Sequence, residues 1–63
     1  MEERMVDIIL KKGTPVEFTL TGTAANVLAI KNDSVLFQNE KGEIITNSLK
    51  DVEKMLESGA LVA

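Results

Sequence analysis

The sequence predicts one small α+β domain in the order α-β-β-β-β-α, closed by a short apolar tail or a fifth strand. Three observations carry this. Apolar residues recur at helical spacing near the start, alternate or cluster in short runs between turn residues from Val16 to Thr46, and return to helical spacing after Ser48. Sixty-three residues hold one core and leave no room for a second domain, so the domain is 1–63.

The first segment, Glu2 to Lys12, sets Met5, Val6, Ile8, Ile9 and Leu10 on a broad apolar face, with Met1 one turn earlier. Glu2 and Glu3 suit the positive end of a helix dipole, Lys11 and Lys12 suit the negative end, and Gly13 is placed as the C′ residue. This face is wider than one small sheet requires. Met1, Met5, Ile8 and Ile9 are therefore the candidate interaction face.

Thr14-Pro15 stops the helix, because the residue before proline is pushed out of helical angles. Val16, Phe18 and Leu20 then alternate with Glu17, Thr19 and Thr21 as a strand buried on one face, and Gly22 ends or bends it. From residue 24 to 31 both faces are partly apolar, which fits either a doubly buried strand or a short helix. The strand is preferred, because its neighbours are strands and Lys31-Asn32-Asp33-Ser34 reads as a hairpin turn in which Asn and Asp tolerate left-handed angles.

Val35 to Gln38 forms the third strand, Asn39-Glu40-Lys41-Gly42 a turn with glycine at the positive-φ position, and Glu43 to Thr46 the fourth strand. Ser48 opens the second helix, with Asp51 three residues on in a variant capping box. Leu49, Val52, Met55 and Leu56 make its buried stripe, and Lys50, Glu53, Lys54 and Glu57 its solvated face. Gly59 is placed as its C′ residue.

The core is aliphatic, since Phe18 and Phe37 are the only aromatic residues. A core of this size rarely supplies more than about 3–5 kcal/mol. With no cysteine there are no disulfides, and with no histidine either the usual zinc ligands are gone. Self-association remains as the source of added stability, so a homo-oligomer is expected.

The net charge of −3 leaves no basic footprint for general nucleic-acid coating. Lys11, Lys12 and Lys31 form a candidate basic patch if the end of the first helix meets the hairpin turn. The acidic start, without an apolar run of signal or membrane-spanning length, points to the cytoplasm and away from membranes.

Catalysis needs groups of tunable protonation or nucleophilicity, and His, Cys and Tyr are all missing. Glu40 and Glu43, across the Lys41-Gly42 turn, read as ordinary hairpin charges rather than as an acid–base or metal pair. Thr21-Gly22-Thr23 lacks the context of a phosphate loop. No catalytic residue, cofactor or metal is expected.

The layout resembles the Sm-like (Hfq-like) small β-barrel family. The resemblance lies in a helix followed by Lys11-Lys12-Gly13-Thr14-Pro15-Val16, in Val16 to Gly22 as first strand and glycine, and in Val27 to Phe37 as the bent second and third strands. It implies an SH3-like or Sm-like barrel whose edge strands pair between subunits into a ring, with single-stranded RNA at a pore or neighbouring face. The Phe-Asp pair of that family appears here only as Ile30 followed by Asp33, and its Tyr-Lys-His segment is replaced by Thr46-Asn47-Ser48.

The sequence thus leads to a non-enzymatic, homo-oligomeric interaction module, regulatory or inhibitory, that binds a protein or small-molecule ligand. Its size and acidity suit the small regulatory proteins of phages and mobile elements. The alternative is an Sm-like ring that binds single-stranded RNA.

Overall fold

The computed structural model describes residues 4–63, so the roles expected of Met1, Glu2 and Glu3 lie outside the described residues. The chain forms α1 (Met5–Ile9), β1 (Pro15–Phe18), β2 (Thr23–Ile30), β3 (Ser34–Asn39), β4 (Ile44–Ser48), α2 (Leu49–Ser58) and β5 (Leu61–Val62). The strands make one antiparallel sheet in the order β4-β3-β2-β1-β5.

The expected barrel is not closed. β4 and β5 are the two edges and do not pair. The ten residues of α2 separate them in sequence and pack against the sheet through the fully buried Val52. β5 is only two residues long, too short to bridge back to β4.

α1 is shorter than the periodicity suggests. Leu10 is already extended (φ −105°, ψ 140°), and a turn closes over Lys11–Thr14, where Thr14 N–H donates to Lys11 O (2.9 Å) and Lys11 N–H to Thr14 Oγ1 (3.0 Å). Gly13 is therefore not a helix C′ residue. Its φ of +90° serves this turn, and its N–H donates to Val27 O at 2.7 Å, which ties the turn to β2.

β1 also ends early, at Phe18. Thr19–Gly22 form a turn in which Gly22, at φ +73°, donates to Phe18 O (2.8 Å). Leu20, expected to face the core, stands at the tip of that turn.

Residues 23–30 are a strand, and a β-bulge explains their two apolar faces. The register passes from Val27↔Phe37 to Ala29↔Leu36, leaving Leu28 as the extra residue. Before the bulge Ala25 and Val27 face the core, and after it Ile30 does. One inserted residue resets the alternation.

The hairpin that follows is closed by Lys31 N–H to Ser34 O (2.8 Å), and Asn32 and Asp33 keep negative φ. The next turn does use positive φ, at Gly42 (+85°). Ser48 caps α2 by accepting from Asp51 N–H (3.1 Å), and Gly59 ends it in the left-handed region.

The core lies between the sheet and the two helices. Val6 and Leu10 of the α1 segment, Val52 of α2, and Val16, Ala25, Val27, Val35, Phe37 and Leu61 of the sheet form it. Each large aliphatic side chain so buried contributes about 1.5–3 kcal/mol relative to exposure. No described helix is long and apolar enough to cross a membrane.

Candidate functional site

Where the inner face of the sheet runs out beside β4, an apolar cleft of about 300 Å³ opens. Each lining residue is placed by a different local cause. The alternation of β1 turns Phe18 inward, where its ring meets Phe37 edge to face with centroids 5.2 Å apart. Ile45 and Asn47 come from the inward face of β4, and Met55 from the buried stripe of α2. Leu20 reaches the rim from the β1–β2 turn and is 88% exposed, far more than any other large apolar side chain described. Ala60, Thr21 and Thr23 complete the lining.

The polar part of this lining is small and largely paired. The hydroxyls of Thr21 and Thr23 lie 2.8 Å apart, and one donates to the other. No ionisable side chain lines the cleft. It offers apolar surface, one carboxamide and two hydroxyls, and none of these tunes a proton near neutral pH.

The residues singled out in the sequence lie elsewhere. Met5 is half-buried, and Ile8 and Ile9 are exposed on α1 (59% and 41%), next to the buried Val6; Met1 lies outside the described residues. The hairpin turn meets the beginning of α1, where the Arg4 guanidinium donates to Asn32 O at 3.2 Å. The other end of that segment, with Lys11 and Lys12, is tied to Val27 through Gly13. Lys31 lies four residues beyond Val27, just past the end of β2, about 13 Å at ~3.3 Å per residue.

Arg4 is engaged on its own helix. Its Nε donates to Asp7 Oδ2 at 2.8 Å, and this bond, with the charges of Asp7 and Glu53, raises the guanidinium pKa above its ordinary value. Glu53 also accepts from Val6 N–H (3.4 Å), which holds α1 to α2. A broader depression beside Arg4, lined by Lys50, Glu53, Lys54 and Glu57, carries mixed charges as expected of a solvated helix face.

Glu43 accepts from Asn39 Nδ2 at 2.9 Å, an arrangement that fastens the turn. Among the described residues no group of three or more acidic side chains is placed to hold a metal ion. The Gly22 amide is spent on Phe18 O and is not offered to an anion.

The cleft was not visible in the sequence because its walls come from four separated segments. In the sequence Leu20 reads as a buried strand residue, because the alternation that places Val16 and Phe18 inward runs on through Leu20 although the chain has already turned at Thr19. No known protein family, curated protein or solved structure matches this chain.

Proposed function

We propose that this chain is a non-enzymatic interaction module that acts as a homo-oligomer and binds an apolar element of a protein partner in the cleft between β1, β4 and α2. The observation that carries this reading is Leu20, held at 88% exposure on the rim of a cleft with no ionisable lining. Leaving a leucine in water forgoes about 1.5–3 kcal/mol of burial, which a bound apolar side chain recovers. The acidic balance favours a partner whose surface around that side chain is basic, as for a regulatory or inhibitory protein.

The absence of His, Cys and Tyr from the chain supports binding without catalysis. The homo-oligomer reading is supported by the thin core and by the two sheet edges. The RNA-binding alternative draws little support from the aromatic residues: Phe37 is fully buried, and the half-buried Phe18, packed edge to face on it, is a single partial platform where base stacking along a strand uses several.

Titration with an uncharged apolar fluorophore tests the site. Saturable fluorescence enhancement is expected, with affinity lowered several-fold by Leu20→Ser and by Met55→Gln. Enhancement that neither substitution alters would place apolar binding elsewhere.

A further inference from the structure

The two edges of the sheet are unequal. At one end of the β3–β4 ladder Asn39 N–H donates to Glu43 O (3.0 Å), and at the other Leu49 N–H donates to Asp33 O (2.9 Å). Hydrogen-bonded and non-bonded pairs alternate in an antiparallel ladder, so Phe37–Ile45 and Val35–Asn47 are the bonded pairs between them. Ile44, Thr46 and Ser48 therefore aim their N–H groups away from β3, and Ile44 and Thr46 their carbonyls too.

The opposite edge offers much less. Thr19 N–H donates to Ala60 O (2.8 Å), which by the same alternation makes Glu17–Val62 a bonded pair. Only Leu61 of β5 then points outward, and it is 1% exposed.

β4 also lacks three common protections against edge pairing, namely charge, proline and a bulge. Ile44-Ile45-Thr46-Asn47-Ser48 carries no charge and no proline, and its register with β3 has no bulge. Its flanks are complementary in charge: Glu43 precedes it and Lys50 follows it. In an antiparallel self-pairing each Glu43 falls at the end of the ladder that carries the other copy's Lys50, whereas parallel pairing would set like charges together.

From this geometry we propose that a second copy of the chain adds to β4 in antiparallel sense about a two-fold axis at Thr46, joining two five-stranded sheets into one. The inference rests on the homo-oligomer reading above and names its surface. The two Thr46 residues exchange two backbone hydrogen bonds, and each Ser48 N–H donates to Ile44 O of the other copy. Ile45 of one copy then stands beside Asn47 of the other, so the two apolar clefts open side by side. The interface is isologous, and it closes at two subunits.

Sedimentation equilibrium on the full chain over a dilution series tests this, with circular dichroism to follow the fold. The native chain is expected to reach twice the monomer mass. Thr46→Pro removes an N–H that β3 does not use, so it should halve that mass and leave the spectrum unchanged. Thr46→Lys and Thr46→Glu each set like charges directly opposite at the axis and should each be monomeric, while an equimolar mixture of the two should recover the dimer mass. This recovery keeps the test decisive if the proline variant fails to fold.

A native chain that is monomeric at every concentration would overturn both the proposal and the homo-oligomer reading. A ring of more than two subunits, or an oligomer unmoved by all three Thr46 variants, would overturn the β4 interface alone. An oligomer that Ile8→Lys dissolves and the Thr46 variants do not would place the contact on α1 and overturn it equally.

Discussion

The rings of Phe18 and Phe37 meet at an interplanar angle of 81°, edge to face, at the point where the buried core gives way to the open cleft. Phe37 is fully buried and belongs to the core, whereas Phe18 is half-buried and lines the cleft as well. The pair thus couples the stability of the fold to the shape of the cleft.

Phe37→Ala should leave the chain unfolded at 25 °C by circular dichroism. Removing a buried phenylalanine costs about 3–5 kcal/mol, which is as much as a core of this size supplies. Phe18→Leu should remain folded, losing about 0.5–1.5 kcal/mol for the aromatic pair, with a weaker response to the apolar fluorophore.

Ser48→Ala should cost about 1 kcal/mol through loss of the bond from Asp51 N–H. Thermal denaturation should register this as a fall in Tm of about 4–8 °C. An unchanged Tm would mean that the cap adds nothing to α2.

Gly59→Ala isolates a backbone effect. A Cβ there meets nothing within 4 Å, so the cost comes from φ at +83° alone. Denaturant unfolding should show a loss of about 1–2 kcal/mol, and Gly59→Asn a smaller one, because asparagine enters the left-handed region more readily.

Much of the fold was legible because it depended on local chemistry. Ser48 as cap, Gly42 at positive φ and Gly59 at the end of α2 each follow from a residue type suited to one backbone position. Alternation identified the strands but not their limits. Nothing in Thr19-Leu20-Thr21 separates a strand from the turn it forms, and the bulge at Leu28 blurs the period it interrupts. The open sheet and the cleft were beyond reach, since both depend on where α2 settles between β4 and β5.

Fluorophore binding should be flat from about pH 6 to pH 9, the interval between the ordinary ranges of carboxylates and lysines. The cleft lining has no group that titrates there. The raised pKa of Arg4 does not intrude: its contribution to stability is fully present below the unfolded value and is lost only at strongly alkaline pH. A midpoint inside the interval, seen by fluorescence titration, would reveal an ionisable group at the site and reopen the question of acid–base chemistry.

The most direct test of binding in the cleft is amide chemical-shift mapping of the isotopically labelled chain during titration with the uncharged apolar fluorophore. The account predicts saturable shifts confined to Phe18, Leu20 to Thr23, Ile45, Asn47, Met55 and Ala60. Shifts centred on Ile8 and Ile9 instead, with the cleft residues unmoved, would contradict it.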